Sequence, residues 1–291
     1  MRRHGDEPAE LRGRRPADVD TTRADADPSS AIVSRLQQSY GNQQTQRILA
    51  AARAVHPHPI PGRRLQRMIK SVDIHGETAT KALFWLSQGR DPRSAPQIDL
   101  VDGEVADAAR DYAHRTITEA HAAARGALQR MCNALHYVQT RLDAGEFNDP
   151  LMARILQRLG NALDVDSLSR QDFDRICTPI ARAYDYLATT GIAFDAWNEH
   201  PSEEALTVAW SQPNVDQIHL MTQFYLAKTT PTERGLTIIH EIMHILDPAV
   251  AHNLDNHGWF RNAYRWENLV RQADALGREL IEEQRRGVLV Q

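Results

Sequence analysis

"TPTERGLTIIHEIMHILDP", residues 230–248, decides the fold. Thr230 can cap a helix, Pro231 suits its first position, and Glu233 three residues on completes a capping box. The helix is expected to run to Asp247, because Pro248 disfavours helical geometry in the residue before it. Its second half is aliphatic except for His240, Glu241 and His244. Burying such groups is costly unless something pairs with them. His240 and His244 are four apart, so both imidazoles leave one face a turn apart and can share one Zn²⁺. Glu241 stands about 100° round the axis, where it can reach a water on the metal without filling a ligand position. His240, Glu241 and His244 thus form an HExxH arrangement.

A catalytic zinc site needs three protein ligands and an open position, so one ligand must come from elsewhere. Asp247, His252, Asp255, His257 and Glu267 are the candidates. Asp247 lies one turn past His244, which suits a partner orienting a histidine better than a direct bond. Glu267 is 23 residues past His244, near the spacing at which gluzincins take a ligand from a second helix.

Working outward, apolar spacing predicts helices over 104–143, with a break near Gly126, over 150–163, and over 170–189, the last closing at Gly191. "IAFDAW" at 192–197, "ALTVAW" at 205–210 and "DQIHLM" at 216–221 are short and β-prone, and turn-forming residues separate them. A final helix is expected over roughly 259–285. The fold class is therefore α+β and mostly helical: a zincin-like domain with a small sheet of about three strands packed on the HExxH helix. Residues 1–30 alternate Arg with Asp and Glu and hold almost no large apolar side chain, so they are expected to be disordered. Residues 31–70 read as a short helix followed by a Pro- and Arg-rich linker, with Arg63, Arg64, Arg67 and Lys70 as a solvated basic run. The catalytic domain is expected over 71–291.

Lys and Arg number 34 against 38 Asp and Glu, a net charge of -4, which gives nucleic acid no electrostatic hold as the main partner. No apolar run reaches the length of a membrane span, and the first residues lack the apolar core of a secretory signal. Two cysteines, Cys132 and Cys177, are too few for a disulfide framework and could pair only if their helices abut.

"IHLMTQFY" at 218–225, "RGLTIIHEIMH" at 234–244, Asp255 in "NLDNHG" and "NAYRWENLV" at 262–270 follow one another in an order that resembles the aspzincins, the deuterolysin-like and lysine-specific metalloendopeptidases. The resemblance covers roughly residues 105–275. It implies a zinc endopeptidase that cleaves protein or peptide substrates, with Asp255 as the third metal ligand beside His240 and His244, and Glu241 as general base. The chain departs from the family in lacking its Gly-Thr pair, in placing Asp255 eleven residues past His244, and in having Gly258 where the family has tyrosine. His257 and Tyr264 are the available substitutes for that tyrosine in polarising the substrate carbonyl, and Tyr264 is the residue assigned. "LQQSYGNQQTQRIL" is similar to leaders on proteins linked to bacterial extracellular contractile injection systems. That resemblance implies a toxin or effector made in the bacterial cytoplasm, loaded into an injection particle and delivered to a target cell. The alternatives are a non-catalytic particle-associated protein with a structural metal, or a gluzincin-type peptidase using Glu267.

Overall fold

The computed structural model describes residues 68–285 apart from 100, 167, 199–207, 227–228 and 253–258. The expected disordered tail and nearly all of the leader and linker lie outside the described residues. In chain order the elements are β1 (Ile69–Ile74), α1 (Glu77–Ser87), α2 (Gly103–Ala144), α3 (Pro150–Leu163), α4 (Arg170–Thr189), β2 (Ile192–Trp197), β3 (Ala209–Ser211), β4 (Gln217–Met221), α5 (Pro231–Leu246) and α6 (Ala263–Arg285). Short 3-10 turns at Thr222–Tyr225 and Trp259–Arg261 precede the last two helices. The protein is α+β and mostly helical, with one four-stranded sheet among the described residues.

The sheet order is β1-β2-β4-β3. β1, β2 and β4 run parallel, and β3 lies antiparallel at the edge. β1 was not among the expected strands, and it begins two residues before the expected start of the domain. Its signal was masked because "IKSVDI" alternates too weakly and follows an Arg-rich run. Residues 205–207 of the strand expected at 205–210 are outside the described residues, and pairing covers 209–211.

Alternation along the strands gives the sheet two unlike faces. Phe194, Ile218 and Ser211 share one row and one side, which faces α5. Asp195, His219 and Trp210 share the next row and the opposite side. There the buried Asp195 Oδ2 lies 3.0 Å from His219 Nδ1 and 3.3 Å from His75 Nε2, and accepts from Gln217 Nε2 at 2.6 Å. One carboxylate oxygen thus fastens β2 to β4 and to the residue following β1.

α2 is one unbroken helix, so the break expected near Gly126 does not occur. Ala124, Ala127 and Leu128 are buried on both sides of the glycine, and this packing outweighs the cost of about 1 kcal/mol for glycine inside a helix. A side chain at Gly126 would meet the Arg130 guanidinium at 3.4 Å. α4 ends at Thr190 in extended geometry, not in the left-handed cap expected at Gly191, and leads straight into β2. The last helix starts at Ala263, because Asn262 interrupts the chain by bridging to Ala251 and then accepts the Arg265 N–H at 3.2 Å. Cys132 and Cys177 are both free thiols.

Candidate metal centre

α5 carries two of the three side chains that meet at the site, and its placement is firmly set. Thr230 and Glu233 form the capping box at its start, as the sequence predicted. Arg234 donates from Nε to the Phe224 carbonyl at 2.8 Å and from its terminal nitrogen to the Leu226 carbonyl at 2.9 Å, which ties the helix to the segment after β4. At Gly235 the helix backbone touches α2 so closely that a Cβ would lie 2.7 Å from the Ala124 nitrogen.

Beyond α5 the chain turns back. Asp247 caps the helix and its carboxylate accepts the Ala249 N–H at 2.9 Å, while the Val250 N–H reaches the Asp247 carbonyl at 3.0 Å. Ala251 then joins the segment before α6, donating to the Arg261 carbonyl at 2.7 Å and accepting from Ala263 N–H at 3.1 Å. This bridge carries His252 over the face that holds His240 and His244. His252 Nε2 lies 2.9 Å from His240 Nε2 and 3.1 Å from His244 Nε2. His240, His244 and His252 form the one group of potential ligands among the described residues that could hold a metal ion.

The donor chemistry fits a cation. His244 Nδ1 faces the Val250 carbonyl at 3.1 Å, and a carbonyl only accepts, so the proton sits on Nδ1 and the lone pair on Nε2. His240 Nδ1 faces Glu267 Oε2 at 3.5 Å, long for a hydrogen bond yet within ion-pair reach, which points its Nε2 lone pair inward in the same way. With both Nδ1 hydrogens directed outward, His252 can supply at most one proton among three converging nitrogens. A cation satisfies all three. Zn–N bonds of about 2.0–2.1 Å at tetrahedral angles place ligand nitrogens about 3.3 Å apart, close to the separations observed. Burial, and then the two neighbouring imidazoles, pull His244 down to about 4, so it is neutral and able to ligate at pH 7.

Glu267 therefore stands behind a histidine and not among the converging nitrogens. Burial pushes its carboxyl up, but the nearby His240 imidazole and the Arg271 guanidinium together outweigh that and hold it below the usual carboxylate range. Its Oε1 accepts from Arg271 at 2.7 Å. Asp247 does not orient a histidine as expected. Its carboxylate is used in the turn, and the backbone carbonyl of Val250 takes the orienting position on His244.

Glu241 is 3% exposed. Its Oε2 accepts the Ser211 hydroxyl at 2.8 Å, which joins the helix to the edge strand β3. Burial raises its carboxyl above the usual range against the opposing pull of His240 and the Ser211 hydroxyl. Ser211 escaped the sequence reading, since a lone serine at the end of a short strand carries no pattern. Tyr264 presents its ring 4.7 Å from that of His240 and 5.5 Å from that of His252, with 56% of the residue exposed. Asp255 and His257 lie outside the described residues.

No family model, no curated protein and no solved structure matches the chain.

Proposed function

We propose that the protein is a zinc-dependent endopeptidase of zincin type, with His240, His244 and His252 as metal ligands. The convergence of three Nε2 atoms beside a buried glutamate on the same helix carries this reading. The similarity of "RGLTIIHEIMH" and "NAYRWENLV" to aspzincin motifs supports the peptidase class. Three imidazoles leave a fourth position for water or substrate, as catalytic zinc sites require. Zinc held there supplies Lewis acidity, which acidifies water and polarises a carbonyl.

The chain's own residues would do the rest. Glu241, whose carboxylate burial makes more basic, takes a proton from water as that water attacks the peptide carbonyl, then delivers it to the departing amine. Ser211 holds the carboxylate in one rotamer. Glu267 and the Val250 carbonyl keep the inward nitrogens of His240 and His244 unprotonated. The Tyr264 phenol, exposed beside His240, would donate to the developing oxyanion.

Carriage by a contractile injection particle, with the 31–70 segment as loading leader and delivery to a target cell, is the accompanying proposal and rests on "LQQSYGNQQTQRIL" alone. No helix among the described residues is long and apolar enough to cross a membrane.

Elemental analysis of the purified full chain, paired with Glu241→Gln, tests the enzymatic reading. About one zinc per chain and peptide hydrolysis lost in the variant, with zinc retained, is the expected result. A zinc-loaded wild-type chain that cleaves no unfolded protein substrate would instead leave a structural metal as the reading.

A further inference from the structure

The metal centre sits near the beginning of β4, where Ser211 pairs with Ile218 and Asn214 donates to the Ile245 carbonyl at 3.0 Å. The opposite end of the sheet holds a separate cavity of about 560 Å³. β1, β2 and β4 are parallel, so their carboxyl ends lie together. Asn198 and Thr222, the residues that follow β2 and β4, both line the cavity, and the Thr222 hydroxyl is 3.2 Å from Asn198 Oδ1. Crevices outside the carboxyl ends of parallel strands are the habitual ligand sites of open sheets, and this volume is that of a small-molecule pocket.

The lining has a definite chemistry. Trp85 and Ile98 give it apolar walls, and among the described residues Lys81 and Arg93 are the charged side chains of the lining, with no carboxylate beside them. The lining thus presents two cationic heads to the cavity, in a chain of net charge -4. Lys81 Nζ lies 2.7 Å from Glu77 and Arg93 Nε 3.5 Å from Asp91, both outside the lining. One such partner leaves several N–H donors on each cation for a ligand. Thr78, in the first turn of α1, also lines the cavity, and that helix has Gly76 as its N-cap with no side-chain hydrogen bond, although Glu77 in the same turn offsets part of the positive field of its N-terminus.

We propose that this cavity binds an organic carboxylate with an aromatic or branched aliphatic body, the anionic end meeting Lys81 and Arg93 and the apolar body lying against Trp85 and Ile98. The site is independent of the metal centre.

Calorimetric titration of the full chain with 4-phenylbutyrate and with its neutral amide tests it. The acid is expected to bind at least about 10-fold more tightly than the amide, a charge-assisted margin. The double variant Lys81→Gln, Arg93→Gln should lose that margin with Tm little changed, since Arg93 is exposed and the half-buried Lys81 gives up only an i,i+4 helix ion pair with Glu77, worth about 0.3–0.5 kcal/mol. Arg93→Lys should retain most of it, and Trp85→Ala should weaken acid and amide alike. Equal affinity for acid and amide, an unaltered margin in the double variant, or no saturable binding up to about 10 mM would each overturn the proposal.

Discussion

Replacing Gly235 by alanine sets two effects of opposite sign against each other, and the geometry decides between them. Gly235 lies inside α5, so helix propensity alone predicts a gain of about 1 kcal/mol. The new Cβ, however, would stand 2.7 Å from the Ala124 nitrogen, 3.0 Å from the Ala120 oxygen and 3.1 Å from the Ala123 carbonyl carbon. All three are backbone atoms of a helix packed on its other sides, so none can swing away. Ordinary contact needs about 3.5 Å or more, so the helices must part by several tenths of an ångström. Overpacking of this kind costs up to about 3 kcal/mol, which leaves a net loss of about 2 kcal/mol. For a domain of this size that lowers Tm by about 4–8 °C. Thermal unfolding followed by circular dichroism on metal-free protein measures the quantity directly. A Tm equal to or above wild type would refute the argument, because propensity would then have won and the close approach of α5 to α2 could not be as described.

Three further outcomes follow from the same structure. His252→Ala should abolish stoichiometric zinc binding, while Asp255→Ala should retain most of it; equilibrium titration against a chromogenic chelator distinguishes them, and the reverse ranking would return the third ligand to Asp255. Glu267→Gln should weaken zinc by about 10–100-fold without removing it, as loss of an orienting carboxylate does elsewhere, and complete loss would make Glu267 a direct ligand. His121 is fully buried in α2 with neither ring nitrogen hydrogen-bonded, and burial followed by the charge of Arg125 pulls it down to about 4. Because its folded value is depressed from 6.5, its contribution is fully present above about pH 6.5 and is lost as pH falls toward about 4. At about 1.4 kcal/mol per tenfold change in proton affinity, that amounts to about 3 kcal/mol. The acid limb of stability in urea titrations should therefore flatten in His121→Leu, and an unchanged slope between pH 4 and 6.5 would contradict the burial argument.

What the sequence disclosed and what it hid divide along physical lines. α5 was legible to its caps because the capping box, the first-turn proline and the terminal Asp-Pro are local chemistry. His240, Glu241 and His244 were legible because an ionisable group in an aliphatic run needs an explanation. His252 could be named only as one of five candidates, since its position depends on the Ala251–Asn262 bridge, a contact between backbones eleven residues apart that no side-chain pattern encodes. The same holds for β1, which joins β2 across more than a hundred residues. Glu267 was read by its spacing as a ligand alternative, yet its turn of α6 brings it to the far nitrogen of His240, and spacing cannot tell the two sides of an imidazole apart.

The long helix α2 links these parts. Gly235 seats α5 against it near Ala120 and Ala124. Six to ten residues further along, Arg130 pairs with Asp274 of α6, and its aliphatic stem fills the space that Gly277 leaves open, where a Cβ would come within 2.9 Å. Arg278 holds the other oxygen of the same buried carboxylate at 2.8 Å. α5 carries two of the candidate ligands, whereas α6 carries Glu267 and Tyr264, so neither helix alone fixes the site. Each is positioned against α2, and their relative offset determines whether Glu267 meets His240 Nδ1 and whether Tyr264 stands beside the ring. A substitution that loosens α6 on α2, such as Arg130→Met, should therefore lower zinc affinity while α5 and its two histidines stay folded. Helix content and metal binding would then part company, which a site built on α5 alone would not allow.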